Sequence, residues 1–182
     1  LKSVQRAIKL RKRLKGGAPR VYTTGVLPMA LYGAEHFSVP HLDICTLQKQ
    51  AAACGSVRPI GVKARFKLLA VATEADPAFK ARSAPLLRWA REVWLTTSKV
   101  KKKEQDLLNG LQLHKAAAII QHGDENDTVA QGPIKAIIVA LKYYGWTIKR
   151  AHMLPNELGW EMDMSIGQPT MLKHYLVLAH ES

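Results

Sequence analysis

The sequence predicts a mostly α-helical fold, with a helical bundle followed by a small helix–β-hairpin–helix subdomain. Apolar residues recur at helical spacing between glycine and proline breaks through residues 1–122. After Gly145 the pattern changes to short segments, and residues 160–164 alternate as a strand does. Hydrophobic residues make up 47% of the 182 positions, which excludes a disordered chain and can fill a core.

The N-terminal part of the chain begins with three predicted helices, which span residues 3–15, 20–37 and 40–54. The second helix is expected to kink near Pro28, because proline has no amide hydrogen and its ring clashes with the preceding turn. Pro40 suits the first turn of the third helix.

Three further segments complete this region. Residues 64–75 fit a short helix or a strand, and residues 98–120 form a lysine-rich helix. Between them, Asp76-Pro77 predicts a helix start, since aspartate caps free amides and proline suits the first helical position. Residues 83–85 predict a second start. The apolar face of this helix comprises Leu86, Leu87, Ala90, Val93 and Trp94, with Arg88 and Arg91 outside it.

The polar, glycine-flanked residues 123–132 are the predicted linker between a helical region, 1–122, and a small subdomain, 133–182. The subdomain contains a helix over residues 133–144, a hairpin and a helix over residues 169–180. Core candidates in the last helix are Leu172, Tyr175, Leu176, Leu178 and Ala179.

The positive charge is concentrated near the N-terminus. The formal net charge is +13, from 27 Lys and Arg against 14 Asp and Glu, which indicates a polyanionic partner. Residues 1–34 hold eight basic residues and no acid, which leaves +5 for the rest of the chain. A basic stripe on helix 3–15 can follow a phosphate backbone, and the alternative is a solvated helix face. The candidate nucleic-acid contacts are Arg6, Lys9, Lys12, Arg13 and Arg20.

Catalytic patterns are absent from the sequence. No two aspartates are adjacent, so the chain has no Asp-Asp pair for two-metal phosphoryl transfer, and it has no glycine-rich phosphate loop. The group of Glu35, His36, His41 and Asp43 matches no metal motif and is interpreted as surface residues. We therefore predict no catalytic residue and no cofactor in this chain.

Cysteine and hydropathy patterns predict an intracellular protein, nuclear or cytoplasmic, without a membrane partner. Cys45 and Cys54 lie on opposite sides of one predicted helix, so they cannot bridge each other and are expected to be reduced. No apolar run reaches the length of a membrane span. Because the chain starts at Leu1 and not at methionine, we expect it to be a fragment.

One stretch resembles a known family. Residues 20–55 contain Leu31-Tyr32-Gly33-Ala34-Glu35, followed by a leucine-rich helix with Gln48 and Gln50 on a polar face. This arrangement resembles the segment after the palm in reverse transcriptases of non-LTR (LINE-like) retrotransposons. Two later pieces, residues 76–94 and 132–169, are similar to the downstream part of such proteins.

The resemblance implies a thumb-like region with a helical extension that holds the primer–template duplex. The implied partners are RNA or an RNA–DNA duplex and the palm, which is the remainder of the polymerase chain. Magnesium would belong to the parent RNA-directed DNA polymerase, and whether this chain counts as an enzyme stays open. The alternative is a helical protein-interaction module whose basic arm docks on an acidic partner.

Overall fold

The computed structural model describes residues 18–54, 73–97, 104–123, 132–150, 152–155 and 161–181. The fold is mostly α-helical with one small antiparallel sheet, which confirms the predicted class. The contacts divide the described residues into two units. The first unit contains residues 18–33, 39–54, 73–81 and Glu181, and the second contains residues 34–38 and the described parts of 82–180.

The described chain begins with a helix that is irregular ahead of Pro28. Helix α1, Ala18–Val21, continues as a π-helical turn, Tyr22–Val26, and then as helix α2, Leu27–Ala30. The amide of Leu27 donates to the carbonyl of Tyr22, five residues earlier. Proline has no amide hydrogen for the carbonyl four residues before it, and a wider turn accommodates that loss. The irregularity predicted near Pro28 therefore takes the form of a π-helical turn.

Helix α2 ends earlier than the sequence predicts. Leu31 leaves the helical region, with φ −102° and ψ 14°, and residues 31–36 form turns. Gly33 has φ 79°, a left-handed conformation that a side chain disfavours. The prediction of a helix to residue 37 is wrong, because the helix ends at Ala30 and the chain then turns through the left-handed Gly33.

Helix α3, His41–Cys54, begins as predicted after Pro40. The carbonyl of Pro40 accepts hydrogen bonds from the amides of Asp43 and Ile44, each at 3.1 Å. Cys54 is buried beside Ala51 in one apolar cluster of the first unit. That cluster also contains Tyr22, Val26 and Leu27 from the preceding segment, with the half-buried Leu31 packed against it.

A buried carboxylate starts the longest described helix. Asp76 follows a 3₁₀ turn, Thr73–Ala75, and precedes helix α4, Pro77–Thr97. Its Oδ1 accepts a hydrogen bond of 2.8 Å from the amide of Ala78, which confirms the predicted N-cap. The side chain of Gln48, on α3, donates to both carboxylate oxygens, at 2.9 Å and 3.2 Å. With 0% of its surface exposed, Asp76 joins the cap of α4 to α3 inside the first unit.

The second helix start predicted at residues 83–85 is wrong, because α4 continues through Pro85. A proline inside a helix removes one backbone hydrogen bond, and packing can outweigh that loss. Ser83 and Leu86 are buried on either side of Pro85, so tertiary contacts hold the helix together there.

The buried face of α4 differs from the predicted one. Leu86, Ala90 and Val93 are buried as predicted, and Arg88 and Arg91 are exposed. Trp89, which the predicted face left out, is also in the core, with 5% of its surface exposed. Leu87 and Trp94 are only half-buried, so their assignment to the core is corrected.

The C-terminal part has the predicted helix–hairpin–helix order. Helix α5, Glu104–His122, and helix α6, Gly132–Tyr143, precede strands β1, Met153–Pro155, and β2, Glu161–Asp163, and helix α7, Pro169–Glu181, follows. The strands pair antiparallel, with Leu154 opposite Met162. Leu172 and Leu176 are buried as predicted. Leu178 is 65% exposed, so its assignment to the core is wrong, because it lies on the other side of α7.

Some predictions fall on residues outside the described part of the chain. These are the helix over residues 3–15, most of the segment 64–75 and the interior of the linker 123–132. The domain boundary predicted at that linker stays a prediction, while the two compact units divide between Ala81 and Arg82. Within the described residues, no helix combines the length and the apolar character needed to span a membrane.

We predict that Asp76→Ala lowers the free energy of unfolding by about 3 kcal/mol, because it removes a helix cap and a charged hydrogen bond together. Gln48→Ala lowers it by about 1–2 kcal/mol, since the buried carboxylate loses one donor. Urea denaturation followed by circular dichroism measures both changes.

The matched control for this prediction is Gln50→Ala, which changes the same residue type on the same helix and has no hydrogen bond to Asp76. Its unfolding free energy should stay within about 0.5 kcal/mol of the parent chain. Equal losses for Gln48→Ala and Gln50→Ala would show that the bond to Asp76 contributes nothing.

Candidate nucleic-acid interface

Of the predicted phosphate contacts, Arg20 is the one that the structure describes. Arg6, Lys9, Lys12 and Arg13 lie outside the described residues. Arg20 is exposed in the last turn of α1. Its carbonyl accepts hydrogen bonds from the hydroxyls of Thr23 and Thr24, at 3.1 Å and 2.8 Å. These bonds hold the backbone at Arg20. The Arg20 side chain takes no part in them and is exposed.

The segment Leu31–Glu35 contains both packing residues and surface residues. Leu31 packs against two apolar clusters of the first unit, the one around Tyr22 and one formed by Ile44, Ala78 and Ala81. Tyr32, the next residue, is 93% exposed. The left-handed Gly33 follows it and turns the chain. Leu31 therefore anchors the turn, and Tyr32 presents its ring to solvent.

The last two residues of the motif belong to the second unit. Ala34 is buried, and the Glu35 carboxylate lies 3.2 Å from His36 Nε2 and 3.9 Å from Arg88 Nη1. Arg88 also pairs with Glu92 at 2.8 Å. Two carboxylates therefore face one guanidinium, which makes Arg88 a poor candidate for a phosphate contact. Exposed pairs of this kind contribute about 0–1 kcal/mol to stability.

The polar face that the resemblance assigned to α3 is only partly available to a ligand. The Gln48 side chain is half-buried and donates to Asp76, so it serves the fold. Lys49 is exposed. The exposure of Tyr32 and the inward bond of Gln48 were missed from the sequence, because periodicity does not distinguish a side chain bonded inside the unit from one in solvent.

Tyr22 illustrates a polar group that is structural. Its hydroxyl donates a hydrogen bond of 2.9 Å to the carbonyl of Leu47, which lies in α3. Burial raises the pKa of the Tyr22 phenol above its ordinary value, and the nearby Cys54 and Asp76 raise it further. The phenol therefore stays protonated near neutral pH and keeps its hydrogen bond, so it is not a base.

Among the described residues, the groups considered as metal ligands or thiol nucleophiles make contacts in pairs. Cys54 is buried, and Cys45 has its sulfur 3.4 Å from His41 Nε2. Among the residues that the structure describes, no three His, Cys, Asp or Glu side chains could hold a metal ion together.

Comparison of the chain with models of known protein families, with curated proteins and with solved structures gives no match. The features that bear on function are therefore the charge of the chain, the exposure of its described side chains and the resemblance of the motif residues. The motif contributes one exposed aromatic ring and one obligatory turn.

We predict opposite effects of adding a methyl group at two glycines of the first unit. Gly33→Ala lowers the free energy of unfolding by about 1 kcal/mol, because alanine strains at φ 79°. Gly25→Ala is neutral or stabilising by up to about 1 kcal/mol, since a methyl group there meets no atom within 4 Å and helps a helical segment. Thermal unfolding of both variants, each compared with the parent, measures the difference. Equal shifts in Tm would contradict the turn assigned to Gly33.

Proposed function

We propose that this chain is the non-catalytic thumb and linker part of a retrotransposon reverse transcriptase. In that role it binds RNA or an RNA–DNA duplex along the backbone and holds it for the palm of the same polymerase. The concentration of positive charge at the N-terminus carries the proposal. Residues 1–34 contain eight basic residues and no acid, and Arg20, the one of the eight that the structure describes, is exposed.

Charge of this kind acts on the phosphate backbone. Each neutralised phosphate releases condensed counterions, so the affinity falls as salt rises. Contacts to phosphates fix position and orientation, and they carry little sequence information. The proposed role therefore requires binding to the phosphate backbone and no recognition of the base sequence.

The exposed ring of Tyr32 supports the same role. An aromatic side chain that is 93% exposed is placed for stacking on a base, and Leu31 and Gly33 hold the turn that presents it. The position falls inside the five residues that resemble the polymerase family. Catalytic aspartates and magnesium would belong to the palm by that resemblance, so the residues of this chain bind and orient the nucleic acid.

We predict a steep salt dependence of duplex binding that is reduced when three N-terminal charges are removed. Changing Arg6, Lys9 and Arg13 together to Ala lowers the slope of log K against log salt by roughly 2–3, about one unit for each lost phosphate contact. Filter binding of an RNA–DNA duplex at several salt concentrations gives the slope.

The control for the charge removal is a triple Ala variant at Lys115, Lys135 and Lys142, which loses the same charge from α5 and α6. Its slope should change by less than about one unit, because these residues lie outside the basic N-terminal region. No binding at low salt, or equal slopes for the two triple variants, would rule out duplex binding by the basic N-terminal region. Affinity that does not depend on duplex length would favour an acidic protein partner.

Tyr32→Ala should weaken duplex binding about fivefold and leave the unfolding free energy within about 0.5 kcal/mol of the parent, because the ring touches little of the protein. The matched control is Met29→Ala in the same unit, which removes another exposed apolar side chain. Fluorescence anisotropy and thermal unfolding check the two quantities. An equal loss of affinity for Met29→Ala would mean that Tyr32 has no specific role.

A further inference from the structure

An open groove in the second unit lies between one face of α4 and the first turn of α7. Its cavity volume is about 520 Å³. The residues that α4 contributes are three or four positions apart, so they lie on one face of the helix. The start of α7 forms the other wall. The lining residues are Leu87, Arg91, Trp94, Leu95, Gln168, Pro169, Thr170 and Lys173.

The charge of the groove selects an anionic occupant. Among the described residues that line it, Arg91 and Lys173 are basic and none is acidic. Arg91 forms no ion pair with a described residue, whereas its neighbour Arg88 is held by Glu92 and Glu35. The groove wall at α7 is the N-terminal end of a 13-residue helix, and the helix dipole favours negative charge at that end.

The apolar part of the groove is suited to a flat ring. Trp94 of α4 is half-buried and lines the groove, whereas Trp89 of the same helix is buried in the core. Leu87, Leu95 and Pro169 provide further apolar contacts. Bases stack on aromatic side chains without regard to sequence, and arginine and lysine hold the adjoining phosphates. A peptide helix would be expected to fill an apolar groove along several turns, whereas among the described residues the second wall consists of Gln168 and the first turn of α7.

We infer that this groove binds single-stranded nucleic acid, with a base stacked on Trp94 and the adjoining phosphates at Arg91 and Lys173. The inference rests on the proposed function in that the chain must meet nucleic acid. It adds the binding of a single strand, in the groove, to the duplex binding proposed for the N-terminal region.

The test compares the full chain bound to three labelled probes at low salt. The first is a blunt RNA–DNA duplex of about 16 base pairs, the second is the same duplex with a single-stranded uridine tail of about six nucleotides, and the third is the tail alone. The tail should raise the affinity of the parent chain about tenfold. Trp94→Ala should remove that gain and leave blunt-duplex affinity unchanged.

Two further variants test the phosphate contacts. Arg91→Gln should reduce the gain from the tail about threefold to tenfold, and Arg88→Gln is the matched control, because Arg88 is held by two carboxylates outside the groove. Trp94→Phe keeps a stackable ring and should retain part of the gain. Thermal unfolding of each variant identifies any loss that comes from unfolding.

The outcomes separate this inference from the proposed function. Tight binding of the blunt duplex with no gain from the tail, or a gain that survives Trp94→Ala in a folded protein, overturns the inference alone. Binding of the tail that depends on Trp94, without any duplex binding, supports the inference and overturns the duplex grip. Absence of binding to all three probes overturns both. Displacement of the tail by a synthetic acidic amphipathic peptide that binds more tightly would assign the groove to a protein partner and overturn the inference.

Discussion

The first unit depends on one buried carboxylate. Asp76 is fully enclosed, so an ionised oxygen there must be satisfied by donors from the protein. The amide of Ala78 and the side chain of Gln48 supply them, from the start of α4 and from the middle of α3. One side chain thereby fixes where α4 begins and holds α3 against that start. Removing either donor would cost more free energy than one hydrogen bond contributes. The buried carboxylate of Asp76 would then have neither water nor a protein donor at that position.

This constraint also determines the setting of the motif segment. Leu31 packs against the apolar cluster that Ile44 of α3 forms with Ala78 and Ala81 of α4, and these are the two helices that Asp76 joins. With Leu31 held, Gly33 supplies the left-handed turn, and Tyr32 between them is left exposed. An exposed aromatic ring on a fixed turn loses little conformational freedom on binding, which is what a stacking contact requires.

The fold class and the helix starts could be predicted because their signals are local. Asp76-Pro77 and Pro40 each determine backbone geometry within one turn, and the structure has the expected helix starts at both. The continuation through Pro85 and the role of Gln48 could not be predicted, since both depend on residues distant in sequence. For the candidate site, Arg20 is exposed, its contact with nucleic acid stays a prediction, and most of the proposed basic stripe lies outside the described residues.

The error on α4 has a physical explanation that bears on function. The sequence presents one wide apolar face, but the helix divides it into two adjoining stripes. Leu86, Ala90 and Val93, spaced by four and three residues, are buried together with Trp89. Leu87, Arg91 and Trp94 have the same spacing one residue later, and they line the groove. A core needs no arginine in the middle of a stripe, whereas a site that combines a stacking ring with a phosphate contact does. Arg91 and Trp94, which both line the groove, therefore fit the binding site inferred for this stripe, and its apolar residues need no place in the core.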